Sequence, residues 1–299
     1  MSKTNEINET LRTIHTMYST HGNFTEQEIG DEDLEAVLDA TVRAANASAR
    51  QSYSIVVVRD REMQKKLCGY AGSATLVFCI DYTRIAVTAE HLGHPFAAQG
   101  MTSFVTGSTD TILAAQTAVI AAHSLGIDSL LTNGVHRGDM NRIYDLLDLP
   151  HEDCFPLIAI VLGYADAKPA YLKGRLRGPG MVHYGAYRHP TSAELDEIVA
   201  QYDDPETHLG LNDAWRDEFD HYLDWFYTVW SVRPGSGGAW RMPVPAVARK
   251  PSRRCWRGSA PGPISPRRTT VSAATRWIWS TRSSSGANRE RARSIRSRC

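Results

Sequence analysis

The sequence predicts a protein of the α+β class, in which short strands and helices alternate along the chain. The first observation is a set of apolar runs, rich in β-branched residues, with the length of buried strands. These runs fall near residues 54–59, 75–80, 128–132 and 156–163. The second observation is apolar residues at helical spacing between them, near residues 33–45, 60–68, 83–92, 110–126 and 138–147.

The helix expected near residues 33–45 combines one apolar face with an acidic first turn. The apolar positions recur every three or four residues, at Leu34, Val37, Leu38, Thr41 and Val42. Asp31 or Asp33 is the expected N-cap, because a carboxylate there accepts a hydrogen bond from a free backbone N–H. The pattern predicts a helix that packs one face on the core.

A small polar turn follows this helix and leads directly into the first strand, within residues 44–58. Small residues let a backbone approach a flat ligand, and Arg50 and Gln51 supply donors for its carbonyl edge. The turn therefore predicts a ligand-binding loop. The alternative is an ordinary connection between a helix and a strand.

The helix expected over residues 110–126 is apolar nearly all round and should be buried, with Asp110 as its N-cap and Gly126 just past its end. The strand that follows ends in Leu131, Thr132, Asn133 and Gly134. An Asn-Gly pair tolerates positive φ, so this turn can aim backbone N–H groups at a ligand.

The last predicted strand ends in Gly-Tyr at residues 163–164, and Lys173 and Arg175 follow with one glycine between them. Two cations at this spacing suit a phosphate group, since guanidinium and ammonium groups donate charged hydrogen bonds to its oxygens. The pair predicts a phosphate contact.

Taken in this order, the segments resemble the FMN-dependent nitroreductase family over roughly residues 10–185. The resemblance lies in the polar loop, the Ala-rich central helix, the glycine-containing turn, the Gly-Tyr strand and the Lys-x-Arg motif, with His183 after it. It implies a central, mostly antiparallel sheet flanked by helices, in an intertwined homodimer. It also implies bound FMN, with contacts from Ser48, Arg50 and Gln51.

Two departures from the family pattern fall in the expected cofactor site. The family usually opens with Arg-Arg-Ser or Arg-His-Ser followed by a further cation, whereas the aligned stretch here is residues 17–21. Ser19 is retained, and His21 is only a conditional cation because an ordinary imidazole titrates near pH 6.5. The family's loop asparagine falls on Ala49. Lys173 and Arg175 would then carry most of the charge against the phosphate.

The implied activity is a flavin-dependent oxidoreductase in which NADH or NADPH reduces FMN, and the flavin then reduces a nitroaromatic, a quinone or another electron-poor small molecule. The turn at residues 131–134 is expected to present a backbone N–H, that of Asn133, toward flavin N5. No dedicated acid or base and no metal-ligand spacing is evident. Similar scaffolds also act as reductive dehalogenases or dehydrogenases, and residues 91–109 are a candidate lid. A non-catalytic flavin-binding or nucleic-acid-binding protein is the remaining alternative.

The chain is expected to divide into a flavin-binding core at residues 1–190, a helical extension at 191–232 and a basic tail at 233–299. Within the extension, residues 192–202 and 211–230 predict amphipathic helices, and the second has a broad aromatic stripe. Aromatic residues at this spacing favour a core or an oligomer interface. We therefore expect residues 211–230 to contact the second protomer.

The tail differs sharply in composition from the rest of the chain. Residues 233–299 hold sixteen basic residues and one acidic residue, a charge of +15, so the first 232 residues carry −15 within a net charge of zero. Low hydrophobic periodicity and abundant Arg, Ser, Pro and Gly predict disorder. Either this is an Arg-rich arm that binds nucleic acid, or it is sequence read out of the normal frame; composition favours the second.

The five cysteines show no Cys-x-x-Cys spacing, and Cys79 and Cys154 lie in apolar runs that predict core positions. The first residues are polar without a hydrophobic signal region, and no apolar run reaches about 18 residues. A cytoplasmic protein without membrane association is the expectation.

Overall fold

The computed structural model describes residues 8–98 and 100–209, together with Leu223. The described residues form one four-stranded sheet in the order β1-β2-β4-β3, and every neighbouring pair is antiparallel. The strands are β1 (Tyr53–Val58), β2 (Ala74–Asp81), β3 (Asp128–Thr132) and β4 (Cys154–Gly163). The predicted α+β class and antiparallel sheet are confirmed.

Seven α-helices are present in the described part of the chain. They are α1 (Glu9–Thr16), α2 (Asp31–Thr41), α3 (Arg61–Cys68), α4 (Thr83–His91), α5 (Met101–Ser124), α6 (Met140–Leu147) and α7 (Ser192–Asp203). Short 3-10 turns lie at Ala47–Ala49, Gly134–His136 and Pro205–Thr207. The helix predicted at 211–230, the predicted end of the extension at residue 232 and the tail from residue 233 lie outside the described residues, apart from Leu223.

The two central strands are covered on both faces. On β2, Leu76 and Phe78 point into a core shared with α2 and α5, whereas Val77 and Cys79 point into a second core shared with α3 and α6. Burial on both faces explains why these strands are continuous apolar runs in the sequence rather than alternating ones. Cys79 and Cys154 are both buried, as predicted.

The prediction that Asp110 caps the central helix is wrong, because α5 begins at Met101. The first nine residues of α5 include Thr, Ser, Gly and Val, which have weak helix propensity, so the sequence alone favours a loop there. In the structure the hydroxyls of Ser108 and Thr109 each donate to a carbonyl four residues earlier, which satisfies them inside the helix. The candidate lid is therefore partly helical.

The predicted N-cap of α2 is also wrong. Gly30 occupies this position, and Asp31 and Asp33 lie inside the first turn, where negative charge is favourable to the helix dipole. Gly126 ends α5 as predicted, with a left-handed φ of 75°. Among the described helices, none has the length and apolar character needed to cross a membrane.

Candidate functional site

The polar loop between α2 and β1 has an unusual backbone. Ser48, Ala49 and Gln51 have φ values of 55°, 57° and 49°, in the left-handed region that residues other than glycine seldom occupy. Ser48 and Arg50 are exposed and Gln51 is half-buried. The predicted ligand-binding loop thus has a constrained backbone that presents polar side chains outward.

The charged side chains of Asp110 and Arg84 hold this loop by hydrogen bonds to its backbone. Neither residue is predicted from the sequence to belong to this site. Asp110 accepts from the backbone N–H of Ala47 at 2.8 Å through Oδ1 and from that of Ser52 at 3.1 Å through Oδ2. Arg84 donates from Nη2 to the carbonyls of Arg50 at 3.0 Å and Gln51 at 2.7 Å. The sequence feature that could have identified Asp110 is a carboxylate within an otherwise apolar helix.

A cleft of about 340 Å³ lies between the loop and α4, lined by Ala49, Arg50, Arg84, Leu92 and His94 among others. Within the ranges that the structure describes, neither Arg50 nor Arg84 forms an ion pair with a carboxylate. The cleft therefore combines apolar walls with cations whose charge is not neutralised by neighbours. Such a lining suits an anionic or carbonyl-rich ligand.

The turn at residues 131–134 differs from its prediction. Asn133 has a φ of −87° and Gly134 starts a 3-10 turn, so neither residue uses positive φ. Glycine is required for a different reason, since a Cβ at Gly134 would lie 2.8 Å from the carbonyl oxygen of Cys68. Leu131 is exposed, and Thr132 and Asn133 are half-buried, so the turn is accessible from outside.

The N-terminal segment is anchored on β3. Tyr18 donates its hydroxyl to Oδ1 of Asp128 at 2.5 Å, and the backbone N–H of Thr20 donates to the carbonyl of Ser129 at 2.9 Å. Burial, and then the hydrogen bond to the Asp128 carboxylate, raise the pKa of Tyr18 to about 12. The predicted phosphate residues Ser19 and His21 flank this anchor and are both exposed.

The Lys173 and Arg175 side chains are exposed, as a phosphate contact requires. Nη1 of Arg175 donates to the carbonyls of Lys173 at 3.0 Å and Gly174 at 2.7 Å. Gly174 is packed against the 3-10 turn at Pro205–Thr207, and a Cβ there would collide with the carbonyl of Thr207. The motif is thus positioned by its own backbone and by a later turn.

The structure does not bring all predicted site residues together in one protomer. The strand register places Tyr53, which follows the loop, opposite Ile80, and Ile80 opposite Phe155. Residues 17–21, here called the Ser19 segment, are anchored by Asp128, which lies opposite Gly163. Residues 155 and 163 are separated by about 26 Å along β4 at the usual rise per residue. The loop and the Ser19 segment therefore occupy opposite ends of the sheet.

Four buried hydroxyls lack a hydrogen-bond partner in the part of the chain that the structure describes: Thr20 Oγ1, Ser52 Oγ, Tyr53 OH and Thr83 Oγ1. Ser52 and Tyr53 adjoin the loop, Thr83 begins α4 beside the cleft, and Thr20 lies between Ser19 and His21. Buried polar groups are nearly always satisfied, so unsatisfied ones mark positions where water, a ligand or a second chain supplies the partner. Both predicted segments therefore fit a polar cofactor.

Comparison with known proteins identifies the family of this chain. Residues 17–164 match the model of the Nitroreductase family. An NADPH-flavin oxidoreductase from Vibrio harveyi is 31% identical over 200 residues, which cover 64% of this chain and 79% of the relative. An FMN reductase (NAD(P)H) from Bacillus subtilis is 28% identical over 209 residues, covering 66% of this chain and 81% of the relative.

Among solved structures, nitroreductase A from Vibrio parahaemolyticus aligns with a TM-score of 0.63 and 29% identity, over 73% of this chain and 91% of that one. The resemblance drawn from the sequence motifs is confirmed by these matches, and the chain belongs to the nitroreductase family.

Proposed function

We propose that the protein is a homodimeric, cytoplasmic flavoenzyme that uses NADH or NADPH to reduce an electron-poor small molecule, such as a nitroaromatic, a quinone or an activated alkene. The enzyme class, an FMN-dependent NAD(P)H oxidoreductase of the nitroreductase type, and its cofactors agree with the family and with the names of the relatives. The acceptor class, the site residues and the homodimer are our proposal.

The observation that carries the proposal is the position of the unsatisfied hydroxyls. All four lie within or beside the Ser19 segment, the loop or the cleft, and the cleft is lined by the cations Arg50 and Arg84. FMN combines a phosphate, ribityl hydroxyls and a carbonyl-bearing ring, so each kind of polar group has a chemical match on the protein. When bound, the flavin accepts hydride from the nicotinamide and passes reducing equivalents to the acceptor.

The protein's own residues would hold and orient this cofactor. Ser19, Lys173 and Arg175 would supply donors for the phosphate, together with His21. Ser48, Arg50 and Gln51 would contact the pyrimidine ring, where the Arg50 guanidinium would stabilise negative charge.

The backbone N–H of Asn133 is the proposed donor to N5, within the turn that also includes Leu131, Thr132 and Gly134. With no side chain of the chain assigned as acid or base, protons would come from solvent or substrate.

An aromatic cluster next to this turn favours a flat acceptor. The rings of Phe104 and Phe155 meet edge to face with centroids 5.8 Å apart, and His136 lies 6.4 Å from Phe155. His136 ends the 3-10 turn that begins at Gly134, and Phe104 is 40% exposed. Aromatic side chains stack on or edge against flat rings, which supports nitroaromatics and quinones as substrates.

Two observations support the homodimer. The loop and the Ser19 segment lie at opposite ends of the sheet in one chain, so a second copy would be needed to bring both kinds of contact to one cofactor. In addition, α5 exposes large apolar side chains, at Met101, Phe104, Val105, Ile112 and Leu113. An apolar face of this kind marks an interaction surface. Residues 211–230 remain the interface predicted from the sequence.

A visible spectrum of the purified protein tests the cofactor. We expect an absorbance band near about 450 nm from oxidised flavin, release of FMN on denaturation, and oxidation of NADH or NADPH when a quinone is added. Colourless protein that also takes up no added FMN would refute the proposal. Sedimentation tests the assembly, and a flavin-loaded monomer would contradict the shared site.

A further inference from the structure

The loop Ala47–Ser52 is held from two sides by side chains of opposite charge. Asp110 of α5 accepts from the backbone N–H groups at the two ends of the loop, and Arg84 of α4 donates to the two carbonyls near its end. Four backbone groups are thereby fixed within six residues. The side chains of Ser48 and Arg50 remain exposed, whereas Gln51 is half-buried and Ser52 is buried.

Asp110 is placed where neither helix formation nor burial explains it. Asp has low helix propensity, yet it occupies the middle of α5 with no solvent exposure, next to the buried Thr111. A buried carboxylate is tolerated when both oxygens accept hydrogen bonds, and both acceptors here are used by the loop backbone. The Asp110 carboxylate therefore stabilises the loop backbone rather than the helix.

The backbone conformation of the loop also requires contacts from outside the loop. Ser48, Ala49 and Gln51 are all left-handed although none is glycine, and such backbone persists only where surrounding contacts determine it. Hydrogen bonds to charged groups are stronger than those between neutral groups, so the bonds from Asp110 and Arg84 can maintain this conformation. A segment fixed in advance loses less conformational entropy when it binds a ligand.

We infer that Asp110 and Arg84 are positioning residues that fix the loop in its cofactor-binding conformation before FMN arrives. The inference rests on the proposed function, because it assigns the loop to the flavin. Neither side chain needs to touch the cofactor. Their contribution is that Ser48, Arg50 and Gln51 are presented in one fixed arrangement.

The test replaces Asp110 by Asn in the full-length protein. The amide keeps the shape but can accept only one of the two N–H groups and faces the other with its own NH₂. We expect FMN affinity, measured by quenching of flavin fluorescence in apoprotein, to fall on the order of tenfold or more. Hydrogen exchange in flavin-free protein should accelerate at the amides of Ala47 and Ser52.

Gln64→Glu is the matched control. Gln64 is also buried, and its side chain holds another turn, accepting from the N–H of Gly72 at 2.9 Å at the opposite end of β2 from the loop. The substitution is likewise isosteric. We expect it to lower thermal stability and speed exchange at Gly72 while leaving exchange in the loop unchanged, with little loss of FMN affinity in the protein that remains folded.

Arg84→Met supplies a second variant if Asp110→Asn does not fold, because Arg84 is exposed and its aliphatic stem is preserved. It should weaken FMN severalfold and speed exchange at residues 50–52. The inference is overturned if Asp110→Asn leaves FMN affinity unchanged, or if the Asp110 and Gln64 variants lose FMN affinity equally. Either outcome leaves the proposed function standing. Wild-type protein that binds no FMN would instead overturn the proposed function and this inference with it.

Discussion

Two of the segments predicted to hold the cofactor, the loop and the Lys173–Arg175 motif, are fixed in different ways. The loop Ala47–Ser52 is bound by side chains 33 to 63 residues away in sequence, on two separate helices. In the Lys173–Arg175 segment, the Arg175 guanidinium instead contacts the carbonyls of its own neighbours, and Gly174 packs on a turn near the end of the described chain. The first has its shape set by the fold, and the second offers exposed charge.

This difference predicts two kinds of mutational effect. Changes around the loop should alter the order of the free protein as well as ligand affinity, because the contacts exist without a ligand. Changes to Lys173 or Arg175 should alter affinity with little effect on the free protein, because exposed charges contribute little to stability. The four predictions below test this contrast, from the largest expected effect to the smallest.

Arg175→Ala should have the largest effect. Loss of a charged hydrogen bond to phosphate should weaken FMN binding by about 2 to 4 kcal/mol, since the phosphate would keep its charge without that partner. Equilibrium titration of apoprotein with FMN measures it, and the melting temperature of the apoprotein should stay unchanged. Arg177→Ala is the control, because that arginine is also exposed and lies outside the motif.

If Arg177→Ala weakens FMN as much as Arg175→Ala does, the effect is one of general charge and the motif has no special role. If Arg175→Ala instead lowers the stability of the apoprotein, the contrast between the two segments fails.

The anchor of the N-terminal segment should respond to alkaline pH. The pKa of Tyr18 is raised to about 12, above the value of 10 expected when unfolded, so the folded state keeps a proton that the unfolded state loses between these pH values. This contribution is complete below pH 10 and is lost as pH rises toward 12. In the wild type this loss should lower the free energy of unfolding by on the order of 1 kcal/mol across that window, allowing for solvent screening. Tyr18→Phe should abolish this part of the pH dependence.

Urea unfolding at several pH values measures this difference. The pKa of Tyr144 is also raised to about 12, chiefly by burial, so the wild type should keep part of its pH dependence in the Tyr18 variant. Tyr144→Phe is the comparison on the opposite face of the sheet. If the free energy of unfolding falls equally with pH in the wild type and in Tyr18→Phe, the hydrogen bond from Tyr18 to Asp128 does not stabilise the N-terminal segment.

Ala49→Asn should strengthen the loop. Asn adopts left-handed backbone more readily than Ala does, so the substitution should stabilise the free protein by about 0.5 kcal/mol and tighten FMN slightly. The sequence resemblance places the family's loop asparagine at this position. Ala45→Asn is the control, because Ala45 is exposed outside the loop and has ordinary backbone. A loss of stability in Ala49→Asn, with none in Ala45→Asn, would indicate that the side chain collides with the cleft.

The sheet could be predicted from the sequence because strands buried on both faces leave continuous β-branched runs. The residues that hold the loop could not. Asp110 was assigned as an N-cap because the rule for helix starts uses only local sequence, whereas its partners lie 58 and 63 residues away.

The sequence predicts that the Asn-Gly pair tolerates positive φ, whereas the structure requires glycine at residue 134 for space. Close approach to Cys68 has no signature in the sequence, whereas a positive φ has one. In both cases the missing information is a contact between elements distant in the chain.

Removal of the basic tail should have the smallest effect. Truncation after Val232 is expected to leave flavin content and turnover unchanged, because residues 233–299 carry a charge of +15 without apolar periodicity, and any contact with the acidic remainder would be a screened attraction between opposite charges. Flavin absorbance per protein and NADPH oxidation measure this, and solubility should improve. Loss of FMN or of the dimer on truncation would show that the tail belongs to the fold. Activity that persists while salt-dependent binding to RNA or DNA disappears would instead assign the tail a separate nucleic-acid function, since such binding weakens steeply as salt displaces arginine from phosphate.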